Sequence, residues 1–421
     1  MRDLINKAVG KNMVIIVLLV VVIISLLGYI VYREAGSLRE QGVITVTSYV
    51  STNVPVTQIT TVTQATTVYK TSTITSFSNY TLTYTTIYKE NKEVGVTDAL
   101  NRTLIFDKLP EKIVVSGKGA RYLLDILYLF KSAPKRVLAF DVMFKDDPIL
   151  QLLEPDLDKK AVFSGTPTVE TLVSMRPDLI IMKSAFKKDG DVYENAGLRV
   201  MYVDPETPQG FFRDLINIGK VMGEENRAEQ IAKFMREILA YVNSKISASG
   251  VERPKTLFLY YSVKGSTVSV KVPPSGYLQN VLIELAGGES VSKNIPGGQW
   301  VEVNIEQIIN WNPSIIFVAT YSSNPSPTDV VNKLLNDPMW RDIDAVKNKR
   351  VYPVPGLGYA WDMPGPKWPM FIMYAASKMH PDLFKEFSLR QFVIDYYSRI
   401  YDVDLSIAEK IATYDLKGVV S

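Results

Sequence analysis

Cysteine is absent from the 421 residues, which excludes disulfides, thiolate nucleophiles and sulfur-ligated metal centres. Histidine occurs once, at His380, so a metal site built from two imidazoles and catalysis through a histidine base are both removed. His380 lies in Met379-His380-Pro381-Asp382 and is expected to cap a helix end at the surface. A net charge of +3 from 47 basic and 44 acidic residues is too small to argue for nucleic acid as a partner. With 47% hydrophobic and 22% charged residues the chain is globular in composition, and its length leaves room for two or three domains.

Charge is also missing locally. Residues 13–32 carry no charged side chain and are dominated by Val, Ile and Leu, long enough to cross a bilayer core. Arg2, Lys7 and Lys11 precede this run, which keeps the N-terminus cytoplasmic and sends the rest outside. Arg33 and Arg39 follow and dilute that signal. A cleaved signal peptide is the competing reading, but the apolar run exceeds a usual signal core and no small-x-small site follows it. The expectation is a single-pass cell-membrane anchor with the C-terminal part extracytoplasmic.

Residues 41–88 contain a single charge, Lys70, in a sequence crowded with Thr, Ser, Val and Tyr. Few large apolar groups lie on a defined face, so the stretch reads as an extended stalk. Its alternation of Thr with Val also suits the strands of a small Thr-rich module, and both readings stand. Asn79-Tyr80-Thr81 and Asn101-Arg102-Thr103 are N-glycosylation sequons.

From residue 112 the pattern changes to short apolar strands alternating with amphipathic helices. Ile113-Val114-Val115, residues 137–140 and residues 179–182 form one set, and residues 256–260 and 315–318 a second. Strands buried on both faces with helical crossovers imply mainly parallel sheets. Between the sets lies a helical stretch, residues 207–246, broken at Gly223. In its second half Ile231, Met235, Ile238 and Val242 recur at helical spacing with charge on the opposite face. Such a rod can join two lobes, although a surface helix of one large domain has the same pattern. Residues 168–181 and 304–317 both run helix, Pro, strand, with Glu170 and Glu306, and Pro177 and Pro313, at matching positions. The expected organisation is an anchor at 1–34, a Ser/Thr-rich stalk at 35–92, an α/β lobe at 93–208, a linking helix at 209–250 and a second α/β lobe at 251–421. The fold class is thus two pseudo-symmetric α/β lobes joined by one long helix, preceded by a transmembrane helix and stalk.

Residues 96–104 and 109–115, followed by residues 170–181, Ile218-Gly219-Lys220-Val221-Met222-Gly223, Glu284-Leu285-Ala286-Gly287-Gly288, residues 300–318 and Lys349-Arg350-Val351-Tyr352, resemble the helix-linked substrate-binding proteins of ABC transporters. This is the class that serves iron-siderophore, haem and cobalamin uptake, and the likeness spans residues 94–415. The resemblance implies a receptor that holds a small-molecule metal chelate between its lobes and delivers it to an ABC permease dimer with its ATPase. It implies no enzyme activity and no cofactor beyond an iron or cobalt complex as cargo. It also implies that the carboxyl-terminal loops of the strands carry the ligand. On those loops the candidates are Lys118, Arg121, Lys183, Tyr261, Tyr277, Trp300, Tyr321, Tyr359, Trp361 and Trp368, aromatics for area and cations for counter-charge. Solvated caps for the first two and core packing for the tryptophans and Tyr359 are the alternatives. Glu170 and Glu306 match the family's acidic residues that dock with arginines of the permease subunits; dipole-favoured carboxylates at helix starts explain each one singly. Linkage through a helix implies only a small lobe rotation on binding. Three further classes stay open: an enzyme on the same architecture, a cell-surface sensor or adhesion protein favoured by the stalk, and a molybdate- or tungstate-type oxyanion receptor of this fold.

Overall fold

The computed structural model describes residues 68–76, 80–88, 93–117, 119–265, 267–356 and 359–419. The expected anchor, Asn79 and Lys118 lie outside them; among the described residues no helix is long and apolar enough to cross a membrane. The chain forms two compact units, Met1–Lys92 and Glu93–Ser421. In the first, β1 (Val68–Ser76) and β2 (Tyr80–Tyr88) pair antiparallel from Val68 opposite Tyr88 to Ser76 opposite Tyr80. This part of the expected stalk is therefore sheet, because β-branched Thr, Val and Ile favour the pleated backbone.

The second unit opens on a hairpin, β3 (Val94–Thr97) and β4 (Thr103–Phe106). The turn is held by buried Asp98, whose carboxylate accepts from the Leu100 and Arg102 amides at 2.9 and 3.1 Å. Asn101 sits at the tip in the left-handed region, φ 60°, and is exposed. Five parallel strands follow in the order β7-β6-β5-β8-β9: β5 (Ile113–Val115), β6 (Val137–Asp141), β7 (Ala161–Phe163), β8 (Leu179–Lys183) and β9 (Val200–Val203). Their connections carry α1 (Ala120–Leu127), α2 (Ala133–Arg136), α3 (Pro148–Leu153), α4 (Val169–Met175) and α5 (Lys187–Asn195).

The link is a pair of helices, α6 (Pro208–Val221) and α7 (Glu225–Ser249). Thr207 caps the first by accepting from the Gly210 amide at 3.0 Å, and Gly223 at φ 69° ends it. The 25 residues of α7 span about 37 Å at about 1.5 Å each. Its buried face is Ala228, Ile231, Ala232, Met235, Ile238, Val242 and Ile246, the stripe that the periodicity dictates.

The second sheet runs β13-β11-β10-β14-β15, with β12 also on β10. Its strands are β10 (Lys255–Lys264), β11 (Thr267–Val272), β12 (Glu289–Ser290), β13 (Val301–Glu302), β14 (Ile315–Ala319) and β15 (Val351–Pro353). It is mixed: β10, β12, β14 and β15 are parallel, while β11 returns antiparallel through a tight turn. Helices α8 (Leu278–Leu285), α9 (Ile305–Trp311), α10 (Pro327–Asn336), α11 (Asp344–Lys347) and α12 (Trp368–Met379) complete this lobe. Helices α13 (Leu389–Tyr401) and α14 (Leu405–Asp415) depart from the expected lobe boundary, since α14 packs on α3 of the first lobe. Arg227 on α7 fastens this pair by donating to the Arg399 and Ile400 carbonyls at 2.6 and 2.8 Å.

The internal repeat is structural. Helix α4 is capped by Thr168 and α9 by Asn304, and both end on a left-handed residue, Arg176 at φ 50° and Asn312 at φ 41°. The strand that follows is entered in the same way: the Asp178 amide donates to the Lys112 carbonyl and the Ser314 amide to the Lys255 carbonyl, each at 2.8 Å. One core cluster runs from the first lobe along the rod into the second, and a satellite cluster covers the other face of each sheet.

Candidate functional site

The second lobe builds a wall from four half-buried aromatics. Strand alternation decides which side chains of β10 reach it. Phe258 and Tyr260 face Trp300, at 6.0 and 5.4 Å between ring centroids, whereas Leu257, Leu259 and Tyr261 pack on the opposite face. Tyr260 meets Tyr321 at 4.8 Å, and Trp300 meets Tyr277 and Tyr321 edge-on at 5.8 and 6.0 Å. Lys271 stands 5.9 Å over the Tyr260 ring. The Tyr277 hydroxyl donates to the Gly298 carbonyl at 3.1 Å. Tyr321, just past β14, has φ 50°, and its hydroxyl donates to Asp362 at 2.6 Å. Gln279 donates to the same carboxylate oxygen at 2.9 Å. Burial pushes the Asp362 carboxyl up to about 6 against those two hydrogen bonds.

The first lobe brings Lys183, the last residue of β8, to the carboxyl end of its sheet. Its ammonium pairs with Glu206 and lies 5.4 Å over the Tyr122 ring. Burial alone would lower the ammonium, but its interactions with the Tyr122 hydroxyl and the Glu206 carboxylate more than reverse that and raise it above its ordinary value. Burial is the main cause that raises the Tyr277 hydroxyl, with the Glu206 charge adding to it and Lys183 opposing it.

Beside that opening the lobes touch. Tyr122 stacks on Tyr359 with centroids 6.3 Å apart. Arg121 and Lys367 approach the Tyr359 ring at 4.8 and 5.0 Å. Gly365 is required here, because a Cβ would fall 1.7 Å from the Tyr359 hydroxyl. Arg121 is fully spent on Asp125 and on Asp147, the latter at 2.8 Å. Burial pulls its guanidinium down, and the two carboxylates more than restore it. Lys367 is spent on Asp415 at 2.9 Å, and both are almost wholly buried. The same carboxylate accepts from the Trp361 indole and the Tyr397 hydroxyl.

The structure thus places Lys183 beside Tyr122 and Glu206 at the carboxyl end of the first sheet, groups Tyr277, Trp300 and Tyr321 in one aromatic cluster of the second lobe, and sets Tyr359 against Tyr122 where the lobes touch. It corrects other expectations. Trp361 and Trp368 have no exposed surface; Trp368 packs edge-on against Phe211 and Phe212 of α6 at 5.7 and 5.8 Å, because α13 and α14 cover a Gly- and Pro-rich loop that looks exposed in sequence. Tyr261 faces away and accepts a hydrogen bond from Lys333 at 2.7 Å. Arg121 has no charge to spare for an anion. His380 ends α12 but is buried, with its Nε2 3.1 Å from the Gly287 carbonyl oxygen, and burial lowers its imidazole. Tyr122, Tyr260 and Glu206 were missed: Glu206 lies in the loop between β9 and α6, a position the sequence offered, whereas the adjacent Tyr260 and Tyr261 of β10 carry no local signal for which of them joins the wall. Glu170 and Glu306 are both exposed in the first turns of the matching helices α4 and α9. The Glu170 carboxyl is held below its usual range by its own backbone amide and by Thr168.

Comparison with known proteins extends these observations. The family model described as Periplasmic binding protein matches residues 145–356, just over half of the chain. The molybdate-binding protein MolA of Haemophilus influenzae is 22% identical over 338 residues, covering 74% of this chain and 89% of the relative. The iron-uptake system-binding protein of Bacillus subtilis is 22% identical over 285 residues, covering 64% and 86%. Among solved structures, Helicobacter pylori CeuE in a Ni-His complex superposes with a TM-score of 0.61 at 22% identity, over 76% of this chain and 99% of its own. MolA with molybdate gives 0.57 at 20% identity, over 74% and 98%. With two α/β lobes, a helical link and a matching family model, the chain belongs to the periplasmic binding protein family.

Proposed function

We propose that this chain is the membrane-tethered, extracytoplasmic substrate-binding protein of an ABC importer, a receptor and not an enzyme, which takes a metal chelate between its lobes. What supports this reading is the aromatic wall of Tyr260, Tyr277, Trp300 and Tyr321 in the second lobe, taken with the Lys183–Glu206 pair at the carboxyl end of the first lobe's sheet. Aromatic faces suit a broad ligand with π or apolar surfaces, and a lysine already neutralised by a carboxylate suits a ligand of low net charge. On this reading cargo is taken up with only a small rotation of the lobes, since the link is helical.

A second reading, an oxyanion receptor, draws on the likeness to MolA. Against it, Arg121, Lys183 and Lys367 are each already paired with a carboxylate, whereas an oxyanion needs unspent donors. A thermal-shift panel separates the two readings. Ferric citrate, iron-loaded hydroxamate and catecholate chelates, haemin, cyanocobalamin and molybdate are each added to the purified protein. A true cargo at a hundred times its Kd stabilises the fold by about 2.7 kcal/mol; a panel with no stabilisation overturns the transport reading.

Glu170 and Glu306 supply the docking charges for the two halves of the permease dimer, one on each lobe, as their matching helices suggest. Charge reversal at both, Glu170→Lys with Glu306→Lys, is expected to abolish stimulation of the permease ATPase in proteoliposomes while leaving ligand affinity within about twofold, since exposed charges far from the crevice change binding energies little. Retained stimulation would remove these residues from the interface. Asn101, exposed at its hairpin tip, is a glycan acceptor on this reading, as is Asn79 in its sequon.

A further inference from the structure

Tyr321 combines three features that rarely coincide. Its backbone is left-handed at φ 50°, a conformation that a bulky side chain holds only when its surroundings impose it. Its ring is the junction of the wall, touching both Tyr260 and Trp300. Its hydroxyl is tethered at 2.6 Å to Asp362, which has no exposed surface and lies 41 residues further along in the same lobe. Gln279 fixes that carboxylate in turn, donating at 2.9 Å to its Oδ2 and at 3.2 Å to the Asp362 carbonyl. The other carboxylate oxygen, Oδ1, is buried and has no side-chain partner among the described residues.

We propose that Tyr321 is the specificity-determining contact of the wall and that Asp362 and Gln279 are positioning residues that act through it. This rests on the reading that cargo binds in the crevice between the lobes. The tether holds the phenol ring in one pose before ligand arrives, so its immobilisation is not charged against binding. It also occupies the hydroxyl, so the ring offers cargo a face and an edge, and selects a flat or apolar surface over a small hydrogen-bonding ion. The groups facing the Asp362 carboxyl are the Tyr321 hydroxyl, the Gln279 amide and its own backbone amide. With the carboxyl pushed up to about 6, protonation below that pH weakens the charged hydrogen bond to the phenol, and the grip on cargo weakens with it.

The test is isothermal titration calorimetry on the full-length protein at pH 7.5 and pH 5, with ferric citrate, the iron(III) desferrioxamine complex, haemin, cyanocobalamin and molybdate as probes. For each probe that binds, the wild-type to variant Kd ratio cancels the probe's own ionisation. Tyr321→Phe is expected to weaken binding about three- to tenfold at pH 7.5, the cost of immobilising one freed side chain. It should also lose the pH dependence that the tether confers. Asp362→Asn replaces the charged acceptor for Tyr321 and Gln279 by a neutral one, so affinity at pH 7.5 should drop to about the wild-type value at pH 5 and show no further fall between the two pH values. Thermal melts of both variants establish that they fold, and the isosteric Asn variant serves if Phe does not. Wild-type binding that Tyr321→Phe leaves unchanged at both pH values overturns this proposal and spares the transport reading. Wild-type protein that binds none of the five probes overturns the transport reading and this proposal with it.

Discussion

Asp415→Ala is expected to cost about 3–5 kcal/mol of stability, a large share of the roughly 5–15 kcal/mol that holds a folded protein together. The carboxylate is about 1% exposed and is shared by three donors, Lys367 at 2.9 Å, the Trp361 indole and the Tyr397 hydroxyl. Removing it strands the buried Lys367 ammonium and two neutral donors, and an uncompensated buried charge is what makes a broken pair expensive. Denaturant unfolding at neutral pH reads the loss as a lower midpoint with an unchanged slope. The double variant Asp415→Ala with Lys367→Met identifies the cause: if the stranded charge dominates, removing it should recover more than half of the loss. A single variant within about 1 kcal/mol of wild type would contradict this account. Asp415 ends α14, which packs on α3 of the first lobe, so the pair also helps to hold the two lobes at one edge of the crevice.

The large divisions of the unit Glu93–Ser421 were legible because each rests on local periodicity. The rod's buried stripe, Ile231, Met235, Ile238 and Val242, is set by helical spacing, and the repeat of cap, helix, left-handed residue and strand shows in the residue order around Pro177 and Pro313. The crevice was only half legible. Two tyrosines stand side by side in β10, and nothing in the sequence fixes which parity faces the partner lobe, so Tyr261 was chosen where Tyr260 forms the wall. Trp361 and Trp368 lie in or beside a loop whose Gly and Pro content marks it as irregular, yet α13 and α14 bury it. The pairings that neutralise the cations join residues far apart in the chain: Arg121 with Asp147, Lys183 with Glu206, Lys367 with Asp415. Long-range pairing leaves no periodic trace, which is why the cations looked available for an anion.

Asp362→Asn is expected to change the pH dependence of stability by about 3 kcal/mol between pH 3.5 and pH 8. The carboxyl titrates at about 6 in the folded protein against an ordinary 3.8, chiefly because burial penalises its charge. A raised carboxyl binds its proton more tightly when folded. Its contribution is therefore fully present below 3.8 and is lost as the pH rises through about 6. Asparagine keeps the acceptor for Tyr321 and Gln279 and has no proton to lose. The variant should accordingly gain on wild type as the pH rises, with the difference growing between pH 4 and pH 6 and level above pH 7. Asp214, which burial also pushes up to about 6, titrates alike in both proteins and drops out of the comparison. Urea midpoints for the two proteins across this range provide the measurement. Parallel curves would mean that Asp362 ionises without cost where it stands, and that the buried tether of Tyr321 cannot be what makes the crevice sensitive to acid.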